Sequence, residues 1–130
     1  MFTSLQNPLS LIGRVLLALL FIPAGFGKIA GFSGAVGYAA AKGVPLPEVA
    51  IAIAIVVELG LGLLLLVGFQ TRWAALAIAF FTFVISFIFH PLGDPSQAQA
   101  FFKNMGVVGG LLTVAAWGAG GWSIDAKRGN

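Results

Sequence analysis

The chain has no cysteine, one histidine and very little charge: Asp, Glu, Lys and Arg together make up 8 % of its 130 residues. Without cysteine, disulfide scaffolding, thiol catalysis, iron–sulfur ligation and CxxC exchange are excluded within this chain. The lone His90 argues against bis-His haem ligation. A soluble domain has roughly a quarter of its residues charged, so this chain lacks the polar groups to wet a surface. Repeats and low-complexity tracts are absent as well. Residues 1–13 carry no basic side chain, Arg14 sits inside an apolar stretch, and no small-x-small site precedes Lys28. The pattern of a cleavable signal is therefore missing, and the first apolar run is expected to be a retained span.

What is present is hydrocarbon. Hydrophobic residues make up 59 % of the chain, and the mean hydropathy is +1.03. The net charge is +3, but seven scattered Lys and Arg build no basic face, so nucleic acid is not a partner on this reading. They read instead as membrane-end anchors. Four apolar spans are predicted, at 9–29, 49–67, 73–89 and 101–119. Each is close to the ~20 residues needed to cross a ~30 Å hydrocarbon core. Helices apolar all round have no wet face, so the fold class is an all-α membrane protein, a four-transmembrane-helix bundle in a single domain spanning 1–130. Asn7-Pro8 reads as a helix start and Thr71 as a cap. His90-Pro91 reads as a stop. The fourth span is expected to begin earlier than 101, near Asp94-Pro95. Residues 30–48, rich in Gly and Pro, read as a long loop, residues 90–100 as a medium one and 68–72 as a tight turn. An even number of spans puts both termini on one side. The slight basic excess there, from Arg14, Arg72, Lys127 and Arg128, favours the cytoplasm.

Glu58 stands alone in AIVVELGLGLLLLVG, near mid-bilayer. A charge there costs roughly 2.5–3.5 kcal/mol, so it should face protein and have a partner. Ala50, Ala54, Glu58 and Gly62 form a small-residue stripe that lets another helix approach. On the first span Arg14, Ala18, Phe21, Gly25 and Lys28 step by 4, 3, 4, 3, a heptad seam that points both cations inward. An Arg14–Glu58 pair is predicted. Thr82, Ser86 and His90 share a face of the third span; the hydroxyls can bond their own backbone carbonyls. The fourth span opens with Lys103-Asn104, followed by the small-residue seam of Gly106 and Gly110. Lys28, His90, Lys103 and Asn104 should form a polar mouth at the non-terminal end, with Glu58 deeper. Singly, each reads as structural: the lysines can snorkel to the interface and His90 can cap. GFGK at 25–28 is no phosphate loop, because position 22, where its first glycine would fall, is Ile. No metal set is apparent.

The strings GRVLLALLFIPAGFGKIAGF, VELGLGLLLLVGFQTRWAAL, FIFHP and FFKNMGVVGGLLTVA, in this order, resemble the DoxX family of small bacterial membrane proteins. The resemblance implies a four-helix bundle in the bacterial inner membrane, and the polar set Arg14, Lys28, Glu58, Arg72, His90, Lys103 and Asn104. It also implies an association with oxidoreductase complexes, since family members include or resemble a thiosulfate:quinone oxidoreductase subunit. One departure stands out: an aromatic-rich stretch is expected after the histidine, and here the sequence reads HPLGDPSQ.

Three functions compete. In the first, the bundle is a redox-associated subunit, with a quinone near His90, Lys28 and Lys103; no cofactor signal lies within the chain, so electrons come from an oxidoreductase partner. In the second it is a non-catalytic scaffold or assembly protein, its small-residue seams allowing homo-oligomers in the lipid. In the third, ranked last, it is a small-solute or proton-linked carrier, for which four short helices without an inverted repeat leave little room.

Overall fold

The computed structural model describes residues 2–91 and 93–128. Among them every regular element is helical. α1 (Phe2–Ala30) is the first long helix and α2 (Phe32–Ala41) a short one. α3 (Pro47–Ile55), a π-helical turn (Val56–Leu61) and α4 (Gly62–Val67) run on as one rod. α5 (Thr71–Phe89) and α6 (Ala98–Trp117) follow, with a final short α7 (Ile124–Lys127). Four helical stretches are long and apolar enough to cross a membrane: Thr3–Ala30, Pro47–Val67, Thr71–Phe89 and Ala98–Trp117. The chain is thus an all-α membrane protein with four spans.

The helix faces follow the seam expected from spacing. Arg14, Ala18, Phe21 and Gly25 are all buried and Lys28 is half-buried, while Leu9, Ile12, Leu16 and Leu19 face outward. α1 packs on the π turn and α4, and α5 packs most extensively on α6. A core of Phe21, Leu65, Ala75, Ile78, Ala79, Val108 and Leu111 joins them. In lipid this packing is van der Waals contact rather than a hydrophobic drive, so close approach matters. A Cβ on Gly62 would meet Ile22 Cγ1 at 3.1 Å.

Four expectations are corrected. Residues 30–48 are not one long loop: they hold α2. Two internal glycines cost about 1 kcal/mol each, but Ala35, Ala39, Ala40 and Ala41 are strong helix formers, and α2 packs on α3 and α1. Gly43 at φ +81° ends α2. Its N–H donates to Ala40 O at 3.0 Å and that of Val44 to Ala39 O at 3.1 Å, the paired bonds of a Schellman cap. Second, α1 begins before Asn7-Pro8, because the Asn7 side chain is not a cap; its Oδ1 accepts from Gly121 N–H at 2.8 Å. Third, Thr71 is the first residue of α5 and not its cap. Fourth, α6 begins at Ala98 and stops at Trp117, where Gly118 (φ +85°) turns the chain back. Leu92, in the expected 90–100 connection, lies outside the described residues.

Candidate functional site

Glu58 lies one residue from the midpoint of the Pro47–Val67 span and is 6 % exposed. Its partner is Lys28, with Nζ 2.7 Å from Oε1. This corrects the predicted Arg14–Glu58 pair. The contact is an ion pair by distance, and no other hydrogen bond reaches the buried Oε1. The π turn sets the geometry. In an α-helix, four-residue steps drift by ~40° each. Here Ala54, Glu58 and Gly62 are all buried, because the π turn carries one extra residue and cancels part of that drift; such turns recur at functional positions. The wider turn also brings the Leu59 backbone against α1. A Cβ on Gly25 would lie 2.9 Å from Leu59 N and 3.2 Å from its Cα, so only glycine admits this approach, one turn from Lys28.

The pair forms part of the wall of a cavity of about 670 Å³ between α1, α2, α3 and α5. Leu20, Phe21, Ile51, Ala54, Phe80 and Ile85 make much of its surface. Its polar members are Lys28, Glu58, Thr82, His90, Asn104 and Tyr38. Thr82 and Ser86 are both buried but behave differently. Ser86 Oγ donates to Thr82 O at 2.7 Å, as the four-residue spacing suggested. Thr82 Oγ1 has no partner. Asn104 Nδ2 donates to Ser86 Oγ at 3.1 Å. Since the Ser86 proton is already committed, only the amide NH₂ of Asn104 can serve there, and Asn104 Oδ1 is left over. His90 Nδ1 lies 2.7 Å from Gln97 Oε1; with that oxygen accepting, Nδ1 carries a proton, and in the neutral ring Nε2 is the acceptor. At the rim Tyr38 stacks on Phe89 at 5.4 Å between centroids, and Lys42 Nζ lies 5.7 Å from the Tyr38 ring centre.

The other predicted residues lie apart. Lys103 is exposed and outside the cavity lining. Arg14, 1 % exposed, works at the terminal end. Its Nη1 donates to Leu65 O and Leu66 O, each at 3.0 Å, and its Nε to Ala119 O at 3.1 Å. Its Nη2 donates to Trp122 O. The guanidinium therefore caps the carbonyl end of α4, where the helix dipole favours a cation, and pins the tail to it. Arg72 Nη2 likewise donates to Ala116 O at 2.9 Å.

Reasoning from sequence missed Ser123 and Asp125. Asp125 Oδ1 accepts from Gln70 N–H at 2.7 Å and Oδ2 from Thr71 N–H at 2.8 Å, which caps α5 from fifty residues away in sequence and holds Gln70 at φ +50°. Ser123 Oγ accepts from Ala126 N–H at 3.1 Å and starts α7. The available signal was the string WSID after a glycine-rich turn, a helix start too short to register by periodicity. Among the described residues no three His, Asp or Glu side chains gather as a metal set.

The DoxX family model matches residues 9–91, a stretch that contains Arg14, Lys28, Glu58, Thr82 and His90 and stops short of Asn104. Inner membrane protein YqjF of Escherichia coli strain K12 is 41 % identical over 119 residues, covering 88 % of both chains. Inner membrane protein YphA of the same organism is 35 % identical over 133 residues, covering 97 % of this chain and 94 % of the relative. No solved structure matches this chain.

Proposed function

This chain belongs to the DoxX family and is an inner membrane protein, and from that premise we propose that it is a redox-associated subunit holding a quinone-class ligand beside Lys28 and Glu58. The observation that carries the reading is an ion pair at the buried Glu58, on the wall of a largely apolar cavity. Arg14 and Asp125 bond backbone groups and hold elements together, whereas Lys28 and Glu58 bond no backbone. The cavity volume of about 670 Å³ lies within the range of small-molecule sites, which are apolar with a few placed polar groups. A quinone head with an isoprenoid tail fits such a wall. When bound, it supplies two-electron carrier chemistry that the side chains of this chain do not. Lys28 contributes positive charge and Glu58 and His90 contribute proton acceptors. Electrons come from an oxidoreductase partner, and the termini face the cytoplasm, where the terminal-side Arg72, Lys127 and Arg128 lie.

Gentle-detergent purification with mass spectrometry of bound lipids and proteins tests this. A quinone-class lipid should accompany the wild type and be lost from Glu58→Gln, with thermal melting checking that the variant folds. Recovery of bulk phospholipid alone from both proteins would refute the ligand. A quinone-free preparation whose polar variants change only complex formation would instead support the scaffold role.

A further inference from the structure

The polar wall of the cavity is unbalanced, and the imbalance specifies its ligand. Glu58 Oε1 is buried and, beyond its ion pair with Lys28, accepts no hydrogen bond. Asn104 Oδ1 is left over because the amide NH₂ is committed to Ser86. In the neutral ring His90 Nε2 is a further acceptor, because the Nδ1 proton is committed to Gln97. All three residues line the same cavity. Thr82, 3 % exposed, adds a hydroxyl with no partner, which can give one hydrogen bond and accept others. Against these acceptors the wall sets the Lys28 ammonium, already 2.7 Å from Glu58, and, at the rim, the Tyr38 hydroxyl.

An oxidised quinone offers only acceptors. Its carbonyl would suit Lys28 or the Thr82 hydroxyl, but it offers no donor to the buried Glu58 oxygen, which Lys28 reaches only as an ion pair. A quinol hydroxyl both donates and accepts. Set against the pair, it donates a hydrogen bond to the Glu58 carboxylate and accepts one from Lys28, with no proton transferred and no change in the ion pair.

We infer that this cavity selects the reduced, hydroxyl-bearing form of its ligand over the oxidised form, with Glu58 as the acceptor and Thr82 as a specificity-determining residue. The inference rests on the quinone-class reading above. A site with this preference retains quinol rather than quinone, so the oxidoreductase it serves is one that delivers or draws on the reduced pool.

The test uses the full chain in nanodiscs, titrated anaerobically by calorimetry with three decyl-tailed compounds: the benzoquinol, the benzoquinone, and the quinol dimethyl ether, which accepts but cannot donate. A hydrogen bond to a charged acceptor corresponds to roughly a ten- to hundredfold change in affinity. The quinol should therefore bind at least about tenfold more tightly than either other compound. Glu58→Gln, which can donate as well as accept, should shrink that ratio toward one. Thr82→Val should weaken the quinol several-fold while Thr82→Ser retains it, and a fold check by thermal melting accompanies each variant. Equal affinity for all three compounds, or preference for the quinone, overturns the inference and leaves the quinone-class reading standing. Binding of none of them overturns both.

Discussion

Gly25→Ala should damage both packing and site, although alanine is the better helix former. In a helix interior, Gly→Ala ordinarily gains about 0.5–1 kcal/mol. At position 25 the new Cβ would sit 2.9 Å from Leu59 N and 2.9 Å from Leu59 Cβ. Ordinary carbon contacts begin near 3.5 Å, so α1 and the π turn must part by roughly 0.6 Å or more. The obstructing atoms include backbone, which cannot rotate away. Overpacking of this kind costs about 1–3 kcal/mol, which outweighs the propensity gain. The same separation loads the Lys28–Glu58 contact, now 2.7 Å, because Lys28 is one turn further along α1. Gly27→Ala is the internal control, since its Cβ meets nothing within 4 Å and should be neutral or stabilising. Both variants would be compared with wild type by thermal unfolding in the same detergent and by retention of bound lipid. Gly25→Ala should melt lower and lose ligand, while Gly27→Ala should do neither. If the two substitutions raise stability alike, the close approach at the π turn is wrong, and the placement of Lys28 against Glu58 falls with it.

Arg14→Lys keeps the charge but loses the planar fork that reaches four carbonyls; it should cost on the order of 3 kcal/mol and open the 118–121 turn to limited proteolysis. Thr71→Val should be neutral or stabilising by up to about 1 kcal/mol in a melting assay, because the buried Thr71 Oγ1 has no partner to lose. Asp94 is held below the usual carboxylate range by the Ser96 hydroxyl, then by the Ser96 N–H, with Lys42 adding a smaller pull against slight desolvation. A depressed value means that the turn it makes is favoured above the ordinary carboxylate pKa and released as pH falls through the lowered one. Ser96→Ala should therefore shift the Asp94 carboxyl titration upward in carbon-13 NMR; an unchanged midpoint would refute that cause.

The membrane-spanning character and the inward faces were written in the order of residues. Lipid offers no water to a backbone, so a run such as 54–68 has one stable form in it, and the 4, 3, 4, 3 spacing from Arg14 to Lys28 names the buried side of α1 before any neighbour is known. Ser86 bonding its own helix is similarly local. Periodicity, however, reports angle and not height. Arg14 and Lys28 share one seam but stand roughly 21 Å apart along it, and nothing in one helix says which of them lies level with Glu58. That offset is decided where two backbones touch, Gly25 against Leu59 and Gly62 against Ile22, and where the tail's carbonyls draw Arg14 to the opposite end. Asp125 capping α5 is of the same kind, a partner supplied by the chain's return. The composition and order of residues determined that this protein lives in a bilayer and which sides of its helices turn inward. Only the packed structure decided which charges meet, because axial register is a property of pairs of helices.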